Sequence, residues 1–420
     1  MANTTLTADI VAKEAVRILD NELVMAKKVF RGYENEFSKN INGYKVGETI
    51  SVRRPTEFEV TDGATMAVQD VIEGKTTITV DQRKHVAFKF TSQDLTLKID
   101  ELSERVIKPA MVKLANQMDT SLHGLYKYVP KWAGTPGQLV DSFADFAKGP
   151  ELLDEGAVPM DDRTGVLCPA DHWALVGSQT SLYNDTINKP AYRTGQTGMV
   201  ANVDLYSTQN VATHTVGVWA TGTQIAVDQA VTAATITYDA VKDTMLQTVT
   251  IDGFTAAAPA LQPGDVFTIA DVFDVNPVTK ARLGFNKQFT VISTANASGN
   301  QVDVTFYPAM IWSGAFQNIA VAAGVTNLND KVITPMGTDS TSYRQNMIFH
   351  RNAFALVSVP LERPPGAVDV SRQTYKGTSV RVIPVYDGVN DESAWRLDVL
   401  YGVKAIDPRL ATRLSGTANP

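Results

Sequence analysis

Within residues 47–92, two long segments alternate between apolar and polar side chains. They directly precede one long segment with helical periodicity. On the first segment Ile50, Val52, Phe58 and Val60 share one face by period-two spacing. The second segment repeats the alternation, with an apolar set made up of Ile78, Val80, Val86, Phe88 and Phe90. An isolated two-stranded hairpin is only marginally stable in water. The sequence therefore predicts an extended arm whose apolar face must lie on another surface, either of its own domain or of another molecule.

The charges around this arm are unevenly distributed. Basic residues fall in its two strands: Arg53, Arg54, Arg83 and Lys84. Acidic residues open the helix that follows: Asp100, Glu101 and Glu104. One interpretation is a solvated strand edge beside a helix start whose dipole favours acids. The other is that the basic arm of one subunit crosses the acidic helix start of a neighbour, and the charge pattern alone favours the first.

Composition excludes several classes of protein. With 420 residues, 44% of them hydrophobic, the chain can bury a sizeable core of two or three domains. The net charge is −7, whereas a dedicated nucleic-acid binder has a surplus of basic residues, so this class is excluded. The single cysteine, Cys168, excludes an intrachain disulfide and is typical of a reducing cytoplasm. No charged leader with an apolar run and no membrane span is present, so we expect assembly in the cytoplasm and no membrane contact.

The rest of the chain alternates between helical and strand patterns. An amphipathic helix is predicted from about residue 10, and a helix of roughly thirty residues over 99–128, bent locally at Pro109. Residues 139–212 have a mixed α/β pattern, whereas 213 to about 325 consist of short Thr- and Val-rich strands typical of a small β-barrel. The mixed pattern then returns, so the barrel is predicted to be an insertion.

The chain has no recognisable catalytic motif. The histidines are scattered, and HExxH, phosphate-binding glycine loops and GxSxG are all missing from the sequence. Asp265, Asp271 and Asp274 could ligate a cation, but their spacing departs from a calcium loop, and solvated turns explain them better. Cys168 is predicted to be a core thiol. We therefore predict no catalytic residue, no metal and no cofactor, and keep a hydrolase built on the α/β part as a remote alternative.

This order of elements resembles the coat proteins of tailed bacteriophages with the Hong Kong 97-type fold. It is most similar to the subfamily of the Salmonella phage P22 coat protein, which carries an inserted β-barrel. Four stretches carry the resemblance: 10–29 (IVAKEAVRILDNELVMAKKV), 263–292, 349–357 (FHRNAFALV) and 395–404 (WRLDVLYGVK).

The resemblance implies an α+β fold with six segments. These are an N-terminal helical arm (1–45), an extended β-hairpin loop (46–92), a peripheral domain with a spine helix (93–138), an axial domain (139–212), an inserted β-barrel (213–323), and the axial and peripheral return (324–420). A loop near 238–247 is the expected contact across two-fold axes.

The resemblance also implies a function. The chain is expected to be a major capsid protein that self-assembles, as pentamers and hexamers, into the icosahedral head of a tailed double-stranded DNA phage. Expected partners are a separate scaffolding protein, a portal protein, optionally a decoration protein, and the packaged DNA through weak contacts. The expected location is the virion, after assembly in the host cytoplasm, and no covalent crosslink is expected. The alternative is an encapsulin-like nanocompartment shell on the same fold.

Under this resemblance the arm lies over an adjacent subunit. The predicted contact residues are Ile50, Val52, Arg53, Arg54, Phe58, Val60, Arg83 and Lys84. The predicted acidic counterpart on the neighbour is Asp100, Glu101 and Glu104.

Overall fold

The structure is a computed structural model of the whole chain. It describes residues 8–38, 40–41, 44–45, 47–64, 66, 68–91, 103–180, 198–219, 224–254, 260–364 and 370–417. The chain divides into two compact units. Unit 1 comprises 1–51, 77–123 and 354–404, and unit 2 comprises 52–76, 124–353 and 405–420. The predicted start of the long helix at residue 99 lies outside the described residues.

Unit 1 packs helices on one face of a sheet. Its α-helices are α1 (Ala8–Glu22), α2 (Glu34–Ser38) and α3 (Lys108–His123). Its sheet is formed by β5 (Gln82–Thr91), β22 (Phe354–Ser358), β23 (Ser371–Tyr375), β24 (Thr378–Asp387) and β25 (Glu392–Ala405). Helix α1 buries the stripe that the sequence predicts, including Val11, Ala15 and Leu19, against α3, β23 and β24. Short strands β1 (Asn40–Ile41) and β2 (Tyr44–Lys45) form a separate pair.

The predicted long helix consists of three consecutive helical segments. A π-helical turn, Ser103–Ile107, leads into α3, and a 3-10 turn, Gly124–Tyr128, follows it. The change from π to α geometry occurs next to Pro109, which has no N–H to donate to the preceding turn. Pro109 therefore changes the local helix geometry at the position where the sequence predicts a bend.

Tyr401 and Gly402 on β25 lie in the stretch 395–404 that carries the resemblance, and Gly402 has a steric role there. A Cβ at this position would lie 2.3 Å from the backbone oxygen of Thr79. Any side chain would push this backbone away. Tyr401 beside it is fully buried, and its hydroxyl lies 2.9 Å from Ser121 Oγ on α3, so the pair joins the sheet to the spine helix.

Unit 2 contains a mixed six-stranded sheet. Its strand order is β6 (Trp132–Ala133), β26 (Ala411–Leu414), β21 (Asn346–His350), β7 (Arg163–Leu167), β9 (Val203–Ser207) and β8 (Met199–Val200). Helices α4 (Phe143–Glu155) and α5 (Pro169–Thr180) belong to the same unit, and α4 packs on β26 and β6. Ser142 caps α4 by accepting a hydrogen bond from Asp145 N–H. This helix and the strand at 163–167 agree with the α/β pattern of the sequence.

The inserted block in unit 2 is a closed barrel. Its strands are β11 (Ala226–Val227), β12 (Gln247–Asp252), β14 (Val266–Val275), β15 (Arg282–Val291), β17 (Val302–Tyr307), β18 (Ile319–Val321) and β19 (Ile333–Pro335). A bridge between Ala226 and Val332 joins the β11 end to the β19 end and closes the sheet. Phe267, Phe289 and Phe306 meet in its core. Smaller pairs are β10 (Thr213–Thr215) with β20 (Ser342–Arg344), and β13 (Ala260–Leu261) with β16 (Ala295–Asn296).

A buried polar network lies where the barrel begins. Asp265 accepts hydrogen bonds from the N–H of Gly217 and Gln262 and from Trp219 Nε1, and its carboxylate lies 2.8 Å from His214 Nε2. The buried carboxylate of Asp265 thus supplies an acceptor to two backbone N–H groups and one indole N–H. The solvated turn that the sequence favours for Asp265 is wrong, because this carboxylate is only 1% exposed. The cation alternative does not fit either, because protein donors surround the carboxylate.

Arg413 on β26 connects the barrel to the six-stranded sheet. It is fully buried, donates to the backbone oxygen of Gly264 at 2.7 Å and to Thr290 Oγ1 at 3.2 Å, and lies against the rings of Tyr126 and Trp132. Burial lowers the pKa of Arg413 to about 9. Its planar guanidinium donates to a backbone oxygen and to a hydroxyl oxygen at the same time. A lysine ammonium could not reach both acceptors with this geometry.

Candidate functional site

The base of the arm is a short antiparallel ribbon. Strand β3 (Thr49–Arg53) pairs with β4 (Lys75–Thr79), and the ribbon ends where Arg54 N–H donates to Gly74 O at 2.8 Å. No strand is assigned among the described residues of 54–74. The alternation of the first segment, in contrast, predicts a strand that continues to Val60. The difference arises because period-two spacing shows which side chains share a face, but a strand also requires a backbone partner.

The outward half of the arm exposes apolar side chains to solvent. We call the described residues of 58–73 the distal loop. Its apolar residues are Phe58 (60% exposed), Val60 (93%), Met66 (84%), Val68 (81%) and Val71 (66%). The two limbs are held together by Gln69, whose side chain bonds both the N–H and the carbonyl of Glu59. Such a concentration of exposed apolar side chains is characteristic of an interaction surface.

Two sets of contacts fix the base of the distal loop to the rest of unit 2. We call them the clamp. On the outgoing limb the Glu57 carboxylate lies 2.9 Å from Arg409 Nη1 and 3.3 Å from Lys280 Nζ. Arg409 also binds Asp407 through Nε and Nη2, both at 2.9 Å. Burial acts to raise the pKa of Asp407, but the Arg409 guanidinium outweighs it and lowers that pKa below its ordinary value. The clamp on this limb is therefore a charged network.

The return limb is held by backbone contacts. Lys75 N–H donates to Asp243 Oδ1 at 3.0 Å, and a Cβ at Gly74 would lie 2.3 Å from the backbone oxygen of Lys242. Asp243 follows α6 (Tyr238–Val241), whose Tyr238 ring stacks on Phe316 at 3.4 Å. The segment 238–247, which the resemblance assigned to two-fold contacts, thus holds the arm of its own chain; its role between subunits stays a prediction.

Replacing Glu57 with Ala should loosen the clamp without unfolding the subunit. Both ion pairs of Glu57 are partly exposed, and exposed pairs contribute about 0.2–1 kcal/mol each. We expect hydrogen exchange at the amides of Arg54 and Lys75 to become several-fold faster, because local opening becomes easier. The matched control is Glu59→Ala, whose exposed carboxylate has no ion pair within the described chain. Equal protection in the two variants would show that Glu57 does not hold the arm.

The predicted basic residues of the arm occupy three different environments. Arg53 pairs with Glu73 at 3.0 Å, and Arg54 donates to Thr76 Oγ1 at 2.6 Å, both within the arm. Arg83 and Lys84 do not lie on the loop but on β5, on opposite faces of the sheet of unit 1. Ile50 and Val52 are half-buried on β3. Asp100 and Glu101 lie outside the described residues, as does the side chain of Glu104, so their predicted role as counterpart stays a prediction.

Strand β5 has its own partner within unit 1. It pairs antiparallel with β25, so that Phe88 lies opposite Trp395 and Val86 opposite Leu397. The same face carries Tyr401, whose hydroxyl lies 2.9 Å from Ser121 Oγ on α3, so it packs towards α3. The alternation of the second segment is therefore correct, and over 82–91 its strand partner is β25 of its own chain. A contact of this segment with a neighbouring subunit stays a prediction.

The opposite face of this sheet carries a buried acid surrounded by arginines. Asp398 on β25 is fully buried, with Arg396 Nε at 2.7 Å, Arg83 Nη2 at 3.6 Å, and Arg381 Nη2 bonded to its other side. Burial acts to raise the pKa of Asp398, but Arg381 and Arg396 keep it below its ordinary value. The carboxylate thus stays ionised and holds the three guanidinium groups together.

The other residues considered as cation ligands or nucleophiles have partners within the chain. Asp271 pairs with Lys331 and Asp274 with Lys287, each at 2.6 Å. Cys168 is buried, its thiol donates to Asp171 Oδ2 at 2.8 Å, and burial raises its pKa. Across the described ranges no three His, Cys, Asp or Glu side chains converge as metal ligands. Within the same ranges no helix is long and apolar enough to cross a membrane.

The sequence alone does not reveal the residues of the clamp. Glu57 lies 223 residues from Lys280 and 352 from Arg409 along the chain. Asp407 caps a short 3-10 turn, Pro408–Leu410, by accepting from Arg409 N–H, and this pattern signals a turn but not the partner of Arg409. No sequence signal links such distant charges.

Comparison with known proteins gives a family match over almost the whole chain. The model of the family described as "P22 coat protein - gene protein 5" matches residues 1–416. The major capsid protein of Acyrthosiphon pisum secondary endosymbiont phage 1 is 22% identical over 427 residues, covering 97% of both chains.

Solved structures are similar at lower sequence identity. A structure from Mycobacterium phage Che8 has a TM-score of 0.48 and 13% identity, covering 93% of this chain and 90% of that one. The capsid structure of cyanophage P-SCSP1u has a TM-score of 0.42 and 11% identity, covering 89% and 84%.

Proposed function

The chain belongs to the P22 coat protein family, and on that premise we propose that its copies assemble through their distal loops into the icosahedral head of a tailed phage. It is a phage major capsid protein. The predicted α+β fold of the Hong Kong 97 type, with its inserted β-barrel, is confirmed, as is the predicted protein class.

One observation carries the role proposed for the arm. The distal loop exposes Phe58, Val60, Met66, Val68 and Val71, while both of its limbs are anchored at the clamp. In an isolated monomer this exposed apolar surface would be left facing solvent. For assembly the arrangement is favourable, because anchoring reduces the conformational entropy lost when the loop binds a neighbour.

The partners and location follow the same proposal. The copies form pentamers and hexamers with the help of a separate scaffolding protein and a portal protein, and a decoration protein is an optional addition. The net charge of −7 supports only weak contact with packaged double-stranded DNA. The protein is assembled in the host cytoplasm, ends in the virion, and acts as a structural component without cofactor or enzymatic activity.

Electron microscopy tests the proposal directly. The full chain, produced in bacteria together with the phage scaffolding protein, should form closed shells with five- and six-fold capsomers. A chain that stays monomeric under these conditions would contradict the assembly proposal. Shells from the native host that contain an enzyme in place of DNA would indicate the nanocompartment alternative.

A further inference from the structure

The end of helix α3 buries a histidine that has no hydrogen-bond partner. His123 is the last residue of α3, and its side chain is fully buried. Neither of its ring nitrogens bonds to another group in the described part of the chain. A neutral imidazole carries one donor and one acceptor, and almost all buried polar groups in proteins are paired. An unpartnered imidazole costs folding free energy, so its presence needs an explanation other than stability.

Burial alone keeps this imidazole neutral. It lowers the pKa of His123 from 6.5 to about 4. The elements packed against α3 are α1, the 3-10 turn Met25–Lys27, the π-helical turn, β5 and one face of β25. Outside the exposed faces of these elements, their described titratable groups are Glu14 and Asp20 of α1, Lys84 of β5 and Tyr401 of β25, while Lys27 and Arg105 on the two turns are exposed. Both acids of α1 are already paired with a cation, so neither is free to bind an imidazolium.

Asp119 lies one helical turn before His123 and supplies a carboxylate within its reach. It is only 1% exposed, and residues four apart are neighbours on the surface of a helix. Its Oδ2 accepts the N–H of Val24 at 2.8 Å, and its Oδ1 accepts the N–H of Ala26 at 3.1 Å. Burial raises the pKa of Asp119, although these N–H groups and Lys27 act against the shift. The carboxylate thus ties the segment that follows α1 to α3.

We propose that His123 and Asp119 form an acid-sensitive switch that releases residues 24–26 from α3. While the imidazole is neutral, Asp119 holds the N–H groups of Val24 and Ala26. When a proton from solvent binds to His123, the buried imidazolium requires water or a carboxylate, and Asp119 is one helical turn away. The Asp119 oxygens then bind the imidazolium, and the two backbone N–H groups lose their acceptor. The switch is a property of the single chain and goes beyond the proposed assembly.

The two titrating groups change the stability of unit 1 in opposite directions. A histidine whose pKa is lowered on folding contributes its full stability above pH 6.5 and loses it as the pH falls towards about 4. The raised pKa of Asp119 has the reverse effect, because protonation removes the cost of burying its charge. Global stability therefore combines two opposing effects. The specific signature of the switch is the local release of Val24 and Ala26.

Hydrogen exchange of the full-length single chain tests the switch. The peptide that covers Val24 and Ala26 is compared at about pH 7 and about pH 5, after correction for the intrinsic rate of amide exchange at each pH. The pKa of His123 is about 4 in the closed form and takes its ordinary value of 6.5 in the open form. The open population should therefore rise about twentyfold between the two conditions.

Variants at three positions assign the effect to its groups. His123→Gln keeps a polar side chain of similar size that does not titrate, so exchange of residues 24–26 should be nearly the same at both pH values. His123→Leu gives the same comparison with an apolar side chain if the glutamine variant does not fold. His85→Gln is the matched control, because His85 is exposed on β5, and it should keep the twentyfold rise. Asp119→Asn retains only one acceptor oxygen, so residues 24–26 should exchange faster than in the wild type already at neutral pH.

Three results would overturn the switch. The first is equal protection of residues 24–26 at both pH values in the wild type. The second is a rise in exchange that persists in both His123 variants, because another group would then bind the proton. The third is a loss of protection spread evenly over the chain, which would indicate general acid unfolding in place of local release. Single chains are measured throughout, so none of these results bears on shell assembly.

Discussion

Replacing residues 60–68 with a short glycine–serine linker is expected to abolish shell formation and leave a folded subunit. The replacement removes Val60, Met66 and Val68 but keeps Glu59 and Gln69, whose mutual hydrogen bonds close the loop. It also keeps the clamp. Ile78 on β4 and Val80 just after it are buried and untouched, so folding should be unaffected. The measurement is electron microscopy of assembled material together with the melting temperature of the subunit.

A single substitution at Phe58 tests the same assembly contact of the distal loop. Phe58→Asp should prevent assembly, because burying a phenylalanine side chain contributes about 1.5–3 kcal/mol and an aspartate would have to be desolvated in its place. Each tenfold rise in the required concentration corresponds to about 1.4 kcal/mol. The control is Phe58→Leu, which keeps an apolar side chain and should assemble. Normal shells from Phe58→Asp would show that the distal loop is not an assembly contact.

Asp265→Ala is expected to be the most destabilising substitution at the barrel. It would leave the N–H groups of Gly217 and Gln262 and the Trp219 indole buried without their acceptor. Each such donor costs about 1–3 kcal/mol, against a total stability of about 5–15 kcal/mol for a typical domain. Denaturant unfolding should therefore show a loss of several kcal/mol, and limited proteolysis should cleave first within the barrel.

Two further variants define the cause. Asp265→Asn keeps the shape and one acceptor oxygen, so it should lose less than Asp265→Ala. Asp303→Ala removes an exposed barrel acid that accepts one bond from Thr250, and should change stability by less than about 0.5 kcal/mol. If Asp265→Ala unfolds at the same denaturant concentration as Asp303→Ala, the network does not stabilise the barrel entrance.

Several elements were predictable because their signals are local. Helix α1, the helical stretch through α3, helix α4 and strand β7 all follow from side-chain period, caps and Pro109. The change to short Thr- and Val-rich strands after residue 213 indicated the barrel. The motif search could not find the Asp265 network, because its donors are backbone groups and a tryptophan that have no characteristic spacing.

The sequence by itself determined which side chains of the arm share a face, and that these faces need a partner. Only the tertiary structure decided which partner each segment has. Strand β5 pairs with β25, and the Glu57 carboxylate pairs with Arg409, across more than 300 residues in each case. The physical reason is that alternation records burial but not the identity of the neighbour, and ion pairs have no period at all. The arm is consequently a short ribbon clamped at its base, with a distal loop that exposes Phe58, Val60 and Val68 to solvent.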